Sequence, residues 1–106
     1  MAWIYLVAAG MFEIGWPLGF KLSQTTENKI FWIAVSIISM ATSGYCLWMA
    51  QKEIPIGTAY AVWTGIGAVG TFLIGILFFK DATNLLRLLS ASLIFIGVIG
   101  LKFAGE

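Results

Sequence analysis

The sequence predicts an all-α integral membrane protein: a single domain over residues 1–106, built from four transmembrane helices. Two observations of composition and one of spacing predict it. Of the 106 residues, 60% are hydrophobic and 10% are charged, where soluble domains carry about 25% charged residues. The charged and turn-forming residues gather in three short clusters: KLSQTTENK at 21–29, QKEIP at 51–55 and KDATN at 80–84. Between and beyond them lie apolar spans at about 2–20, 30–50, 56–79 and 85–103, each close to the ~20 residues a helix needs to cross the hydrocarbon core. Loops this short make neighbouring spans antiparallel.

The first span, AWIYLVAAGMFEIGWPLGF, contains Glu13 and no other charged side chain before Lys21. A helix there sets Glu13 near mid-depth, about 12 Å from Lys21 at ~1.5 Å per residue. An ionised side chain at that depth costs roughly 2.5–3.5 kcal/mol or more, so it is expected to face a cavity or a partner. Helical spacing puts Ala9, Gly10, Trp16 and Pro17 on its face. Pro17 has no N–H for the Glu13 carbonyl and should bend the helix beside the carboxylate.

In the second span Ser36, Ser39, Ser43 and Leu47 form one stripe. The third aligns Ile56, Tyr60, Trp63 and Gly67. It also contains GIGAVG at 65–70, which matches G-x-G-x-x-G. The dinucleotide fingerprint requires a preceding strand and a βαβ unit, whereas this copy lies inside an apolar helix. A hinge or a packing seam is the better reading of these glycines, and the hinge is favoured. The fourth span carries Ser90, Ile94, Gly97 and Leu101 on one face, small residues that admit another helix.

Several function classes drop out. A net charge of +1 from six basic and five acidic residues leaves no basic stripe for nucleic acid. With no His and one cysteine, Cys46 reads as a small hydrophobe, and no metal or other cofactor is expected. No nucleophile–base pair can be assembled, so the chain is not expected to be an enzyme. The N-terminus, without a basic leader and with Glu13 inside its apolar run, reads as a span rather than a cleaved signal. Lys21, Lys29, Lys80 and Arg87 flank loops one and three, against Lys52 and Lys102 on the other side. The positive-inside rule favours loops one and three in the cytoplasm, but so small a bias permits insertion both ways up.

Glu13 is the only acid within a span, and Trp16, Ser43, Tyr60 and Trp63 are expected around it. Their indole N–H and hydroxyl groups can donate to a carboxylate, and their rings can wall a cation. Trp3, Tyr5, Trp32 and Trp48 read as interfacial or packing residues. A carboxylate holds a proton or a cation, never both at once, and that competition suffices for antiport. One chain of four short helices has little room to enclose a path. In a pair of chains the two Glu13 residues would share one cavity and the Gly97 faces could form the seam.

The stretch GMFEIGWPLGFKLS around Glu13, the run IPIGTAYAVWTGIGAVGT at 54–71 and the ending GVIGLK at 97–102 resemble the small multidrug resistance family over nearly the whole chain. Trp16, the middle run and the GLK ending resemble its guanidinium-exporter subtype. The resemblance implies an antiparallel, dual-topology homodimer in the bacterial inner membrane that exchanges protons for guanidinium. It implies that Glu13 is the shared proton and substrate site, lined by Gly10, Trp16, Ser43, Tyr60 and Trp63. It further implies a hinge at Gly65 and Gly67 and a dimer contact through the fourth span, at Gly97 and Ile94. Where the subtype often has a small residue after Trp16, this chain has Pro17, and a bent first helix would admit guanidinium compounds with alkyl tails. The alternatives are a quaternary-ammonium or multidrug exporter of the same architecture and a partner-dependent half of a heterodimer. A rotary-ring proton subunit is disfavoured by the four spans.

Overall fold

A computed structural model describes residues 1–104. Among them the chain is all-α, with α1 (Ala2–Thr25), α2 (Lys29–Ala50), α3 (Ile56–Phe78) and α4 (Leu85–Phe103) in order. All four are long and apolar enough to cross a membrane, so this is a multi-pass membrane protein. Two helices start on asparagine caps, in which a side-chain oxygen satisfies an orphan N–H of the first turn. Asn28 accepts from the Phe31 N–H at 3.4 Å and Asn84 from the Arg87 N–H at 2.9 Å.

The main departure from the expected spans is the end of α1. Apolarity stops near Phe20, but the helix runs on to Thr25. The hydroxyls of this polar turn bond back to the helix, Ser23 to the Phe20 carbonyl at 2.6 Å, Thr25 to that of Lys21 at 3.2 Å and Thr26 to that of Leu22 at 2.7 Å. Hydropathy marks where the hydrocarbon ends, and the helix ends later. α1 is also continuous through Pro17.

α1 is the central element, packed on α2 along one side and α3 along the other, while α4 is held by α3. The protomer is a slab of 46 × 34 × 16 Å with a radius of gyration of 14.7 Å, wider than the ~13 Å of a compact 100-residue domain. Its buried core is small: Ala2, Leu6 and Ala9 of α1, Cys46 and Ala50 of α2, Ile54 in the loop that follows, and Ala59 and Val62 of α3. Large apolar side chains such as Ile37, Leu77, Leu93 and Ile96 are exposed and suit lipid.

Glycines set the closeness of the α1 seams, as is usual where helix association depends on packing alone. A Cβ on Gly15 would meet Ser39 Oγ at 2.7 Å, and one on Gly10 would meet Ile66 at 2.7 Å. Gly65 gives the same close approach to Val98 of α4, at 2.5 Å. At the slab's ends, cationic side chains fold over aromatic rings, with Lys52 4.6 Å from Trp48, Lys102 4.8 Å from Trp3 and Arg87 5.6 Å from Phe72. This snorkelling keeps the stems in apolar surroundings and the charges near water.

Candidate functional site

The serine stripe of α2 is a polar seam against α1. Ser36 donates to the Trp16 carbonyl at 2.9 Å and Ser43 to the Ala9 carbonyl at 2.7 Å, seven residues apart on each antiparallel helix. Trp63 of α3 reaches the same point, its indole N–H donating to Ser43 Oγ at 2.9 Å. Ser43 thus ties three helices together, and its one proton is committed to a backbone oxygen. Tyr60 continues the chain outward, edge-on to Trp63 with ring centroids 5.6 Å apart, and is itself 57% exposed.

Glu13 lies on the α3 side of α1, in mid-helix and half-buried. Its side chain rests directly over Gly67: a Cβ there would fall 2.5 Å from Glu13 Cγ. It opens onto a groove of about 280 Å³ lined by Glu13, Pro17, Thr64, Gly67, Ala68 and Thr71. Among the described residues, its carboxylate makes no hydrogen bond to Trp16, Ser43, Tyr60 or Trp63. The residues expected in one cluster around Glu13 therefore fall into two groups. Ser43, Trp63 and Tyr60 form a bonded and stacked chain. Gly10 and Glu13 line the α1–α3 seam, with Trp16 one turn on, edge-on to Phe20 at 5.7 Å.

Sequence spacing missed Thr64 and Thr71. They line the Glu13 groove, and the Thr64 hydroxyl donates to the Tyr60 carbonyl at 2.8 Å. The signal was available, because 60, 64, 67 and 71 share a helical face, but threonine in a membrane helix carries little weight against tryptophan and tyrosine. Gly65 and Gly67 lie within unbroken helix, Gly65 under Val98 and Gly67 under Glu13. On α4, a Cβ on Gly97 would meet nothing within 4 Å, whereas Ile94, 45% exposed, also lies against α3, its Cγ2 3.6 Å from where a Cβ on Gly65 would stand.

The family model described as Small Multidrug Resistance protein matches residues 1–94. Relatives named "Guanidinium exporter" are similar over nearly their whole length. The one from Yersinia pseudotuberculosis serotype I (strain IP32953) is 47% identical over 104 residues, covering 98% of this chain and 99% of its own. That from Proteus vulgaris is 46% identical over 107 residues, with coverage of 98% and 99%. That from Escherichia coli (strain K12) is 44% identical over 108 residues, with 98% of both chains covered.

Proposed function

The chain belongs to the small multidrug resistance family, transporters rather than enzymes, and from that premise we propose that it exports guanidinium in exchange for protons. The observation that carries this reading is the placement of Glu13, half-buried at mid-span over Gly67 and opening on a groove. Protonated, the carboxyl crosses without cargo. Ionised, it offers two oxygens to a planar cation whose paired N–H groups match them. The exchange is one of binding competition, and neither ligand can be carried while the other is held.

In this reading two copies of the chain, inserted in opposite orientations in the bacterial inner membrane, bring their Glu13 residues into one cavity. A slab 16 Å thick leaves the groove open along one face, and a second slab supplies the missing wall. The exposed small-residue face of α4, with Ile94 and Gly97, is the contact we assign to the pair, and Gly65 and Gly67 are the positions at which α3 flexes. Substituted guanidinium compounds are admitted to the extent that the groove beside Pro17 accommodates their tails.

The experiment is uptake into proteoliposomes holding the purified chain alone, with an imposed proton gradient. Guanidinium should move against that gradient and tetra-alkylammonium poorly, since a substituted ammonium has no paired N–H donors. Transport of the ammonium without guanidinium would overturn the substrate, and activity only after adding a second chain would overturn the homodimer.

A further inference from the structure

We propose that the groove between α1 and α3 is a vestibule leading to Glu13, and that Asp81 is the carboxylate that recruits the cargo cation at its mouth. This rests on the export reading above and names a second station on the path. A further cavity of about 210 Å³ is lined by Pro17, Lys21, Thr71, Gly75 and Asp81 among others. It shares Pro17 and Thr71 with the cavity at Glu13, so the two lie side by side along the α1–α3 seam. From Glu13 to Lys21 the way is about 12 Å along α1, and Thr71 lines both cavities.

The setting of Asp81 is specific. The chain leaves α3 through Lys80 in the left-handed region, φ 57°, unusual for a residue other than glycine or asparagine. The Asp81 N–H then returns to the Gly75 carbonyl at 3.0 Å. Its carboxylate lies back against Gly75, where any Cβ would overlap Asp81 Oδ2. The turn and its hydrogen bond are those of a helix C-cap of the Schellman type, and the bare Gly75 lets the exposed Asp81 carboxylate lie back over the end of α3, at the rim of the groove.

Lys21 lines the same mouth and supplies the opposing charge. An ammonium is a strongly hydrated point charge, whereas a guanidinium offers a fork matched to a carboxylate. An arriving guanidinium therefore competes with Lys21 for Asp81 and passes inward past Thr71 to Glu13. Removing the acid should weaken capture, and removing the lysine should strengthen it.

Initial rates of guanidinium uptake at low ionic strength, read as KM and maximal rate, test this. Asp81→Asn should raise KM roughly fivefold, about the factor that one charge at contact distance carries in water, with the maximal rate unchanged. Asp81→Glu should restore KM, and Lys21→Gln should lower it. Both shifts should fade near 1 M salt, where the Debye length is about 3 Å. An unchanged KM in Asp81→Asn, shifts of the same sign in Asp81→Asn and Lys21→Gln, or a salt-insensitive loss of maximal rate in both Asp81 variants would each overturn the vestibule. Wild-type vesicles that take up no guanidinium would overturn the export reading instead.

Discussion

Replacing Ser43 by alanine tests whether the Trp63–Ser43–Ala9 chain holds the three helices together. Ser43 is 1% exposed and makes both bonds of that chain, at 2.9 Å and 2.7 Å. Without its hydroxyl the Ala9 carbonyl still accepts the helical bond from the Glu13 N–H. The Trp63 indole has no such substitute. An orphaned buried donor costs about 1–3 kcal/mol in water-soluble proteins. Inside a membrane such bonds average only about 0.6 kcal/mol and reach about 1.7, because the unfolded chain also finds partners. The expected loss for Ser43→Ala is therefore about 1 kcal/mol. Trp63→Phe removes the donor but leaves Ser43 on Ala9, and the double variant orphans nothing. A double-mutant cycle in mixed detergent micelles, followed by far-ultraviolet circular dichroism during unfolding, should give a coupling of about 1 kcal/mol. Additivity within the ~0.3–0.5 kcal/mol scatter of independent sites would refute the chain as a structural unit.

Glu13→Gln should abolish coupled exchange and leave the helical fold intact, since an amide neither cycles a proton nor carries charge; retained guanidinium–proton exchange would remove Glu13 from the mechanism. Gly67→Ala places a Cβ 2.5 Å from Glu13 Cγ and should raise KM as well as slow turnover. Gly65→Ala presses on Val98 instead and should spare KM; slowed turnover with normal KM in Gly67→Ala would favour a pure hinge at Gly67. Gly97→Leu starts from a Cβ with nothing within 4 Å in its own protomer, so it should keep the monomer folded while lowering the cross-linked dimer fraction and the exchange rate together. An undiminished dimer would move the contact elsewhere.

The four spans were legible because apolar runs and polar clusters alternate so sharply, and α4 begins at the expected Leu85. The end of α1 was not legible, since KLSQT continues a helix through hydroxyl-to-carbonyl bonds that hydropathy does not register. Helical spacing correctly grouped Ser36, Ser39 and Ser43, which all meet α1, because a stripe of identical polar residues in an apolar helix has one economical location. Tyr60 and Gly67 share a face as expected, yet Gly67 is buried under Glu13 and Tyr60 is exposed, because spacing fixes a face but not which neighbour covers it at each depth. The same ambiguity hid Thr64 and Thr71. Asp81 read as an ordinary loop acid, and only the Lys80 turn and the bare Gly75 show where its carboxylate lies.

The slab's thinness bears on why so small a chain would be paired. An ionised Glu13 facing hydrocarbon costs roughly 2.5–3.5 kcal/mol or more, and its groove opens sideways between α1 and α3 rather than along an enclosed pore. α4 separately has no buried residue, and its Gly97 and Gly100 have open space above them. Lipid can cover α4 at no electrostatic cost, but it cannot solvate the carboxylate. A helix seam satisfied at α4 would leave that second need unmet unless the same partner also walls the groove. Under the proposed reading, contact at α4 fixes the second copy in place, and the charge at Glu13 dictates that its polar side faces inward. Hence a variant that preserves dimers through α4 but replaces Thr64 and Thr71 by valine should still associate, and should lose exchange.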